Sequence, residues 1–226
     1  MMQLYIGNKN YSSWSLRPWL LMQHTGIAFE EIRLQLDFSN GSPFKEAIAR
    51  VSPAGRVPVS VDDGFAIWDT MAICEYLAEQ FEEKRLWPSD RLARARARSL
   101  CAEMHGGFGA LRSHFPMNIE AALPEVGPRV LREMPSAAAD LARIIDMWSS
   151  QLAESGGPFL FGDFTIADAY FAPVCFRIET YGLPVPARIR QFIDHMLGLP
   201  AMQVWAGAAR AERHFLADDE PYRTSV

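Results

Sequence analysis

The chain has 226 residues, 49% of them hydrophobic, which is length enough for two domains and apolar content enough for a substantial core. Its net charge of −5 gives no bulk pull toward nucleic acid, and no apolar run approaches the roughly 18 residues of a membrane span. Three widely spaced cysteines (Cys74, Cys101, Cys175) form no C-x-x-C pair, which argues against a zinc knuckle or dithiol centre and for buried thiols in a reducing cytoplasm.

The start, "MMQLYIGNKN", lacks the pattern of a secretory signal and offers a short strand at 3–7. "NKNYSSWSLRPWLLM" follows. Pro18 has no N–H and is read as a first-turn residue, so the helix is expected to begin at about Trp14 or Ser15, with Ser15 as N-cap and Ser12 and Ser13 in the preceding loop. Gly26 terminates it. "FEEIRLQL" at 29–36 alternates as a half-buried strand does, and "SPFKEAIARV" holds a short helix. "VPVSV" and "FAIW" flank Asp63-Gly64, a hairpin signal, and "DTMAICEYLAEQF" puts Met71, Ile73, Cys74, Leu77 and Phe81 on one helical face. The order is β-α-β-α-β-β-α.

The polar connector "EEKRLWPSD" ends this pattern, and no convincing strand follows Ser89. A helical stretch over 89–115 is weakened in its middle by Gly106, Gly107 and Gly109. An amphipathic helix ends at Gly156-Gly157. "TIADAYFAPVCFRIETYG" is apolar nearly all round and reads as a central buried helix, opened by a Thr165/Asp168 capping box with Phe164 as a staple before it. Two more helices follow, and the polar tail "LADDEPYRTSV" reads as loose.

Four stretches in this order resemble the cytosolic glutathione transferases. "SSWSLR" resembles the S-S-C-S-x-R signature of their zeta class, and "SPAGRVPV" the segment before their third strand. "WDTMAICEYL" resembles their γ-glutamyl-binding segment, and "GDFTIADAYFAP" the folding motif of their helical domain. The resemblance implies a thioredoxin-like α/β domain over 1–81, a linker over 82–88 and an all-α domain over 89–226. It also implies glutathione as cosubstrate, a small hydrophobic electrophile as its partner, and a homodimer with no part in nucleic-acid or membrane binding.

Taken from the residues alone, the three serines are ordinary turn and cap residues. The resemblance makes Ser12 the thiol activator and Ser13 the alternative, with Tyr11 a third hydroxyl to consider. It implies a cis Val57–Pro58 bond whose exposed backbone pairs with glutathione, Arg56 at the glycine carboxylate, and Asp69 and Thr70 at the γ-glutamyl end. Alone, Pro58 would read as a trans strand-start proline, Arg56 as a solvated side chain, and Asp69 and Thr70 as helix caps. Tyr11, Trp14, His105, Phe108 and Arg112 are placed at the electrophile pocket, although core packing is the default for Phe108, as it is for Leu111, Phe115 and Trp205. Trp14 stands where the zeta signature has cysteine, which argues against disulfide chemistry through a protein thiol. Three readings follow: a glutathione transferase, a zeta-like maleylacetoacetate isomerase, or a non-catalytic binding protein of the same fold. The isomerase needs cations for substrate carboxylates. The zeta arginine position holds Thr180, after Glu179, and Arg177 lies almost a turn earlier and is expected to point elsewhere.

Overall fold

The structure, a computed structural model, describes residues 1–223. It opens with β1 (Gln3–Ile6), α1 (Ser13–Thr25), β2 (Glu30–Arg33), α2 (Pro43–Ala49), β3 (Val59–Asp62), β4 (Phe65–Trp68) and α3 (Thr70–Gln80). The sheet order is β2-β1-β3-β4. β1 and β2 run parallel, Gln3 opposite Glu30 and Ile6 opposite Arg33, which requires the crossover that α1 supplies. β3 is antiparallel to both β1 and β4. Asp63 and Gly64 both have positive φ (46° and 83°), the two-residue geometry that matches strand twist in a tight hairpin. The strand expected over 29–36 is shorter, Glu30–Arg33. It is an edge strand, and after one more backbone bond, from the Leu34 N–H to the Ile6 carbonyl at 2.8 Å, the chain leaves the ladder, the Leu36 N–H donating to the Asn8 side chain instead.

Helices make up the remainder: α4 (Arg91–Gly106), α5 (Gly109–His114), α6 (Val126–Glu133), α7 (Pro135–Ser155), α8 (Ile166–Tyr181), α9 (Ala187–Gly198) and α10 (Pro200–Ala211). The glycine-weakened stretch breaks at Gly107, where a Cβ would lie 2.7 Å from the Glu103 carbonyl oxygen, and at Phe108, which has φ 58°. All of α8 is buried except Glu179, and it packs against α1, α4 and α9. Its capping box is formed: Thr165 Oγ1 accepts from the Ala167 N–H, and Asp168 accepts from the N–H groups of Thr165 and Leu160 at 2.8 and 2.9 Å. Phe164 packs on His24 at the end of α1 and on Phe159.

One apolar core runs through both halves, from Leu4 and Leu20 to Trp148 and Trp205, and a smaller cluster of Leu36, Phe44, Ile48 and Val59 fills the space under α2. Among the described residues no helix is long and apolar enough to cross a membrane. The three cysteines are free and buried. The tail is not loose as far as Arg223. Glu212 accepts from the N–H groups of Lys9 and Asn10, Tyr11 Oη donates to Glu220 and to the His214 carbonyl, and Tyr222 Oη donates to the His114 carbonyl. The polar side chains that made this segment look solvated are its attachments. Its last three positions, 224–226, lie outside the described residues.

Candidate active site

The N-cap of α1 falls three residues earlier than the sequence indicates: Ser12, not Ser15, holds that position, and Pro18 sits in the second turn. A proline there deprives the Trp14 carbonyl of its helical donor. Thr70 compensates from the neighbouring helix, its Oγ1 donating to the Trp14 oxygen at 3.4 Å. This pairing of one helix with the start of another is what permits the displaced proline.

Ser15 is therefore not the cap. Its fully buried hydroxyl accepts from the Gly7 N–H at 3.1 Å and lies 2.7 Å from Ser12 Oγ. No side chain caps α1. Either hydroxyl can donate in this pair; when Ser15 donates, the Ser12 proton is free for an acceptor in the cleft. Ser12 and Ser13 line a cavity of ≈ 610 Å³ together with Tyr11, Trp14, Arg112 and Arg177. A helix start without a side-chain cap, beside a hydroxyl, is a place for an anion.

Arg17 locks this loop. It is 1% exposed, donates from Nε to the Tyr170 carbonyl at 2.8 Å and from Nη1 to the Ser13 carbonyl at 3.2 Å, and lies on the rings of Trp14 and Tyr170. Burial lowers its pKa to about 9, so it remains charged at neutral pH. Arg112 covers the Trp14 ring at 4.7 Å. Three arginines thus gather near Ser12, since Arg177, expected to point elsewhere, lines the same cavity. Its Nε donates to the Phe115 carbonyl, and its buried Nη1 has no hydrogen-bond partner among the described residues.

A second cavity of ≈ 260 Å³ shares Trp14, Arg56 and Val57 with the first. It is lined further by Pro58, Asp69, Thr70 and His105. The Val57–Pro58 bond is cis, and Val57 precedes the β1–β3 ladder, so no rung of that ladder engages it. Asp69 has φ 74°, a left-handed conformation that is uncommon for a residue with a Cβ. Its Oδ1 accepts from the Met71 N–H at 2.8 Å as a cap of α3, and Oδ2 lies 3.4 Å from His105 Nε2. His105 Nδ1 is 2.8 Å from Tyr170 Oη, so this histidine spans α3 and α8. His105 therefore borders the smaller cavity and not the one beside Ser12. Phe108 lines neither cavity and is buried in the core, as are Leu111, Phe115 and Trp205. No cysteine lines either cavity.

Sequence reasoning missed Arg17, the tail residues Asp218 and Asp219 that line the larger cavity, and the direction of Arg177. Arg17 had a signal, as the arginine within "SSWSLR". The tail had none, because nothing local says where a polar terminus docks.

A four-stranded mixed sheet with its helices, a cis-proline edge and an all-helical second half make a thioredoxin-like α/β domain joined to an all-α domain. Residues 11–80 match the family described as glutathione S-transferase, N-terminal domain, and residues 91–208 match glutathione S-transferase, C-terminal domain. The chain belongs to the glutathione S-transferase family. It is 27% identical over 214 residues to maleylacetoacetate isomerase of Pseudomonas aeruginosa, covering 89% of this chain and 94% of that one. To maleylacetoacetate isomerase of Rattus norvegicus it is 28% identical over 205 residues, covering 89% and 90%. Among solved structures it resembles a glutathione transferase from Methylococcus capsulatus (TM-score 0.65, 26% identity, covering 92% and 98%). It also resembles a glutathione transferase homolog from Burkholderia gl BGR1 with bound glutathione (TM-score 0.69, 23% identity, covering 94% and 99%).

Proposed function

We propose that this chain is a glutathione transferase that holds the glutathione sulfur ionised beside Ser12 and presents it to an electrophile in the larger cavity. The observation that carries the reading is the Ser12 hydroxyl at the uncapped start of α1, on the wall of the larger cavity and two residues from Trp14, which lines both. A free thiol titrates near about 8.5, so only a few per cent is thiolate at neutral pH. A hydroxyl donor, a helix start and nearby guanidinium groups all favour the anion, and each pKa unit is about 1.4 kcal/mol. The thiolate then forms a bond to the electrophilic carbon. Ser13 is the alternative donor.

In this reading the smaller cavity takes the rest of the tripeptide. Val57 offers its backbone as a rung to the cysteinyl unit, Pro58 fixes that edge, and Arg56 reaches the glycine carboxylate. Asp69 faces the γ-glutamyl ammonium. Because the Thr70 hydroxyl is committed to Trp14, the Thr70 N–H at the start of α3 is the donor for the α-carboxylate. A homodimer in the cytoplasm belongs to the same proposal. So does the division into 1–81, 82–88 and 89–226. Phe65 and Leu92 leave exposed apolar side chains available for association.

The second reading, glutathione-dependent isomerisation of a carboxylate-bearing alkene, is favoured by Arg112 and Arg177 lining the cavity beside Ser12. There the thiolate adds to a double bond and leaves again. Turnover with glutathione of chlorodinitrobenzene and of maleylacetone separates the two. Conjugation of the first and its loss in Ser12→Ala support the transferase. Rapid isomerisation of the second supports the isomerase, and turnover of neither by the wild type overturns both.

A further inference from the structure

The chain beyond α10 returns to the cleft as a strap tied at both ends. At its start the Glu212 carboxylate accepts from the Lys9 and Asn10 N–H groups and from Arg33, and its side chain is 2% exposed. Next, Tyr11 Oη donates to His214 O and to Glu220. At the far end Tyr222 donates to the His114 carbonyl and meets the Tyr181 ring. Between these ties a short turn, Ala217–Asp219, places Asp218 and Asp219 on the wall of the cavity that Ser12, Arg112 and Arg177 line.

Arg177 is only 4% exposed, and its Nη1 has no hydrogen-bond partner among the described residues. A buried guanidinium with a donor unspent seeks an anion. Asp219 is the half-buried carboxylate that shares the cavity with it, and the two charges act on each other without meeting in an ion pair among the described residues. Asp219 is desolvated by the strap's docking, which pushes its carboxyl up to about 6, with Arg177 pulling the other way.

We propose that Asp219 is a specificity-determining residue, a carboxylate carried by the strap into the electrophile cavity that offsets Arg177 and disfavours ligands bearing their own carboxylate. This rests on the larger cavity being the electrophile site. The strap thereby makes the cavity more tolerant of neutral electrophiles than its arginines alone would.

The test is equilibrium binding of an isosteric pair, meta-nitrobenzoate and meta-nitrobenzamide, to the full chain and to Asp219→Asn, read by tryptophan quenching. It needs no turnover, so its outcome is independent of whether the thiolate reading holds. The variant should bind the benzoate about tenfold more tightly and the benzamide unchanged. An equal change for both ligands, no change in either, or weaker benzoate binding overturns the proposal. Asp218→Asn, which alters the exposed neighbour, should shift the benzoate less than Asp219→Asn does. Equal shifts assign the effect to overall charge and overturn the role of Asp219.

Discussion

Ser12 is legible as a candidate site residue only through its motif, because a serine before a helix is otherwise a cap. The structure separates the two roles. Ser12 holds the cap position without capping, and Ser15 braces it from below. Replacing Ser15 by alanine should leave Ser12 in place but release its hydroxyl orientation and strand the Gly7 N–H. We expect a stability loss of roughly 1–2 kcal/mol in urea denaturation, together with a higher apparent pKa of bound glutathione. Asp168 makes the opposite case. It is a buried carboxyl pushed up to about 6 by desolvation, yet it is walled off by Thr165 and Leu160 and faces no cavity. Its folded pKa lies above the model-peptide value of 3.8, so the folded state binds the extra proton between these values. The stability of wild type relative to Asp168→Asn should therefore fall as pH rises from about 4 to about 6, then level off. A difference that rises across that window would contradict the assignment.

At the scale of elements, periodicity and turn chemistry made most of the fold legible. The Asp63-Gly64 hairpin, the glycine break after α4 and the buried α8 all follow from local rules that tertiary contacts reinforce. What failed were boundaries set by distant partners. Pro18 reads as a first-turn residue when its cost is counted within one helix, whereas Thr70 on α3 satisfies the carbonyl it leaves open. The account predicts a coupled pair. Thr70→Val should cost roughly 1–2 kcal/mol with Pro18 present and clearly less in a Pro18→Ala background, where residue 18 regains its N–H. Equal costs in a double-mutant cycle by denaturation would contradict it. Gly127 on α6 carries another distant constraint, since a Cβ there would lie 2.0 Å from the Tyr181 carbonyl oxygen at the end of α8. Gly127→Ala should lose about 1–3 kcal/mol or more in the same assay, although a helical alanine is otherwise favourable.

Across the whole molecule, Arg17 and Trp205 show why the site was only partly written in local sequence. Arg17 joins the first helix to α8 through the Tyr170 carbonyl, and Trp205 Nε1 donates to the Lys9 carbonyl at 2.9 Å, each tying the β1–α1 loop to helices more than a hundred residues away. Trp19 and Trp205 meet edge to face within the shared core. Both halves should accordingly unfold together, with far-ultraviolet dichroism and tryptophan fluorescence giving coincident urea transitions; two separated transitions would show independent halves.

The most direct test of the central claim is a pH titration of the ultraviolet thiolate absorbance of saturating bound glutathione. In the wild type the bound thiol should titrate at least about one unit below its free value, and Ser12→Ala should stay folded and return it toward that value. Bound glutathione that remains a thiol at neutral pH in the wild type, or a thiolate undiminished in both Ser12→Ala and Ser13→Ala, would contradict it.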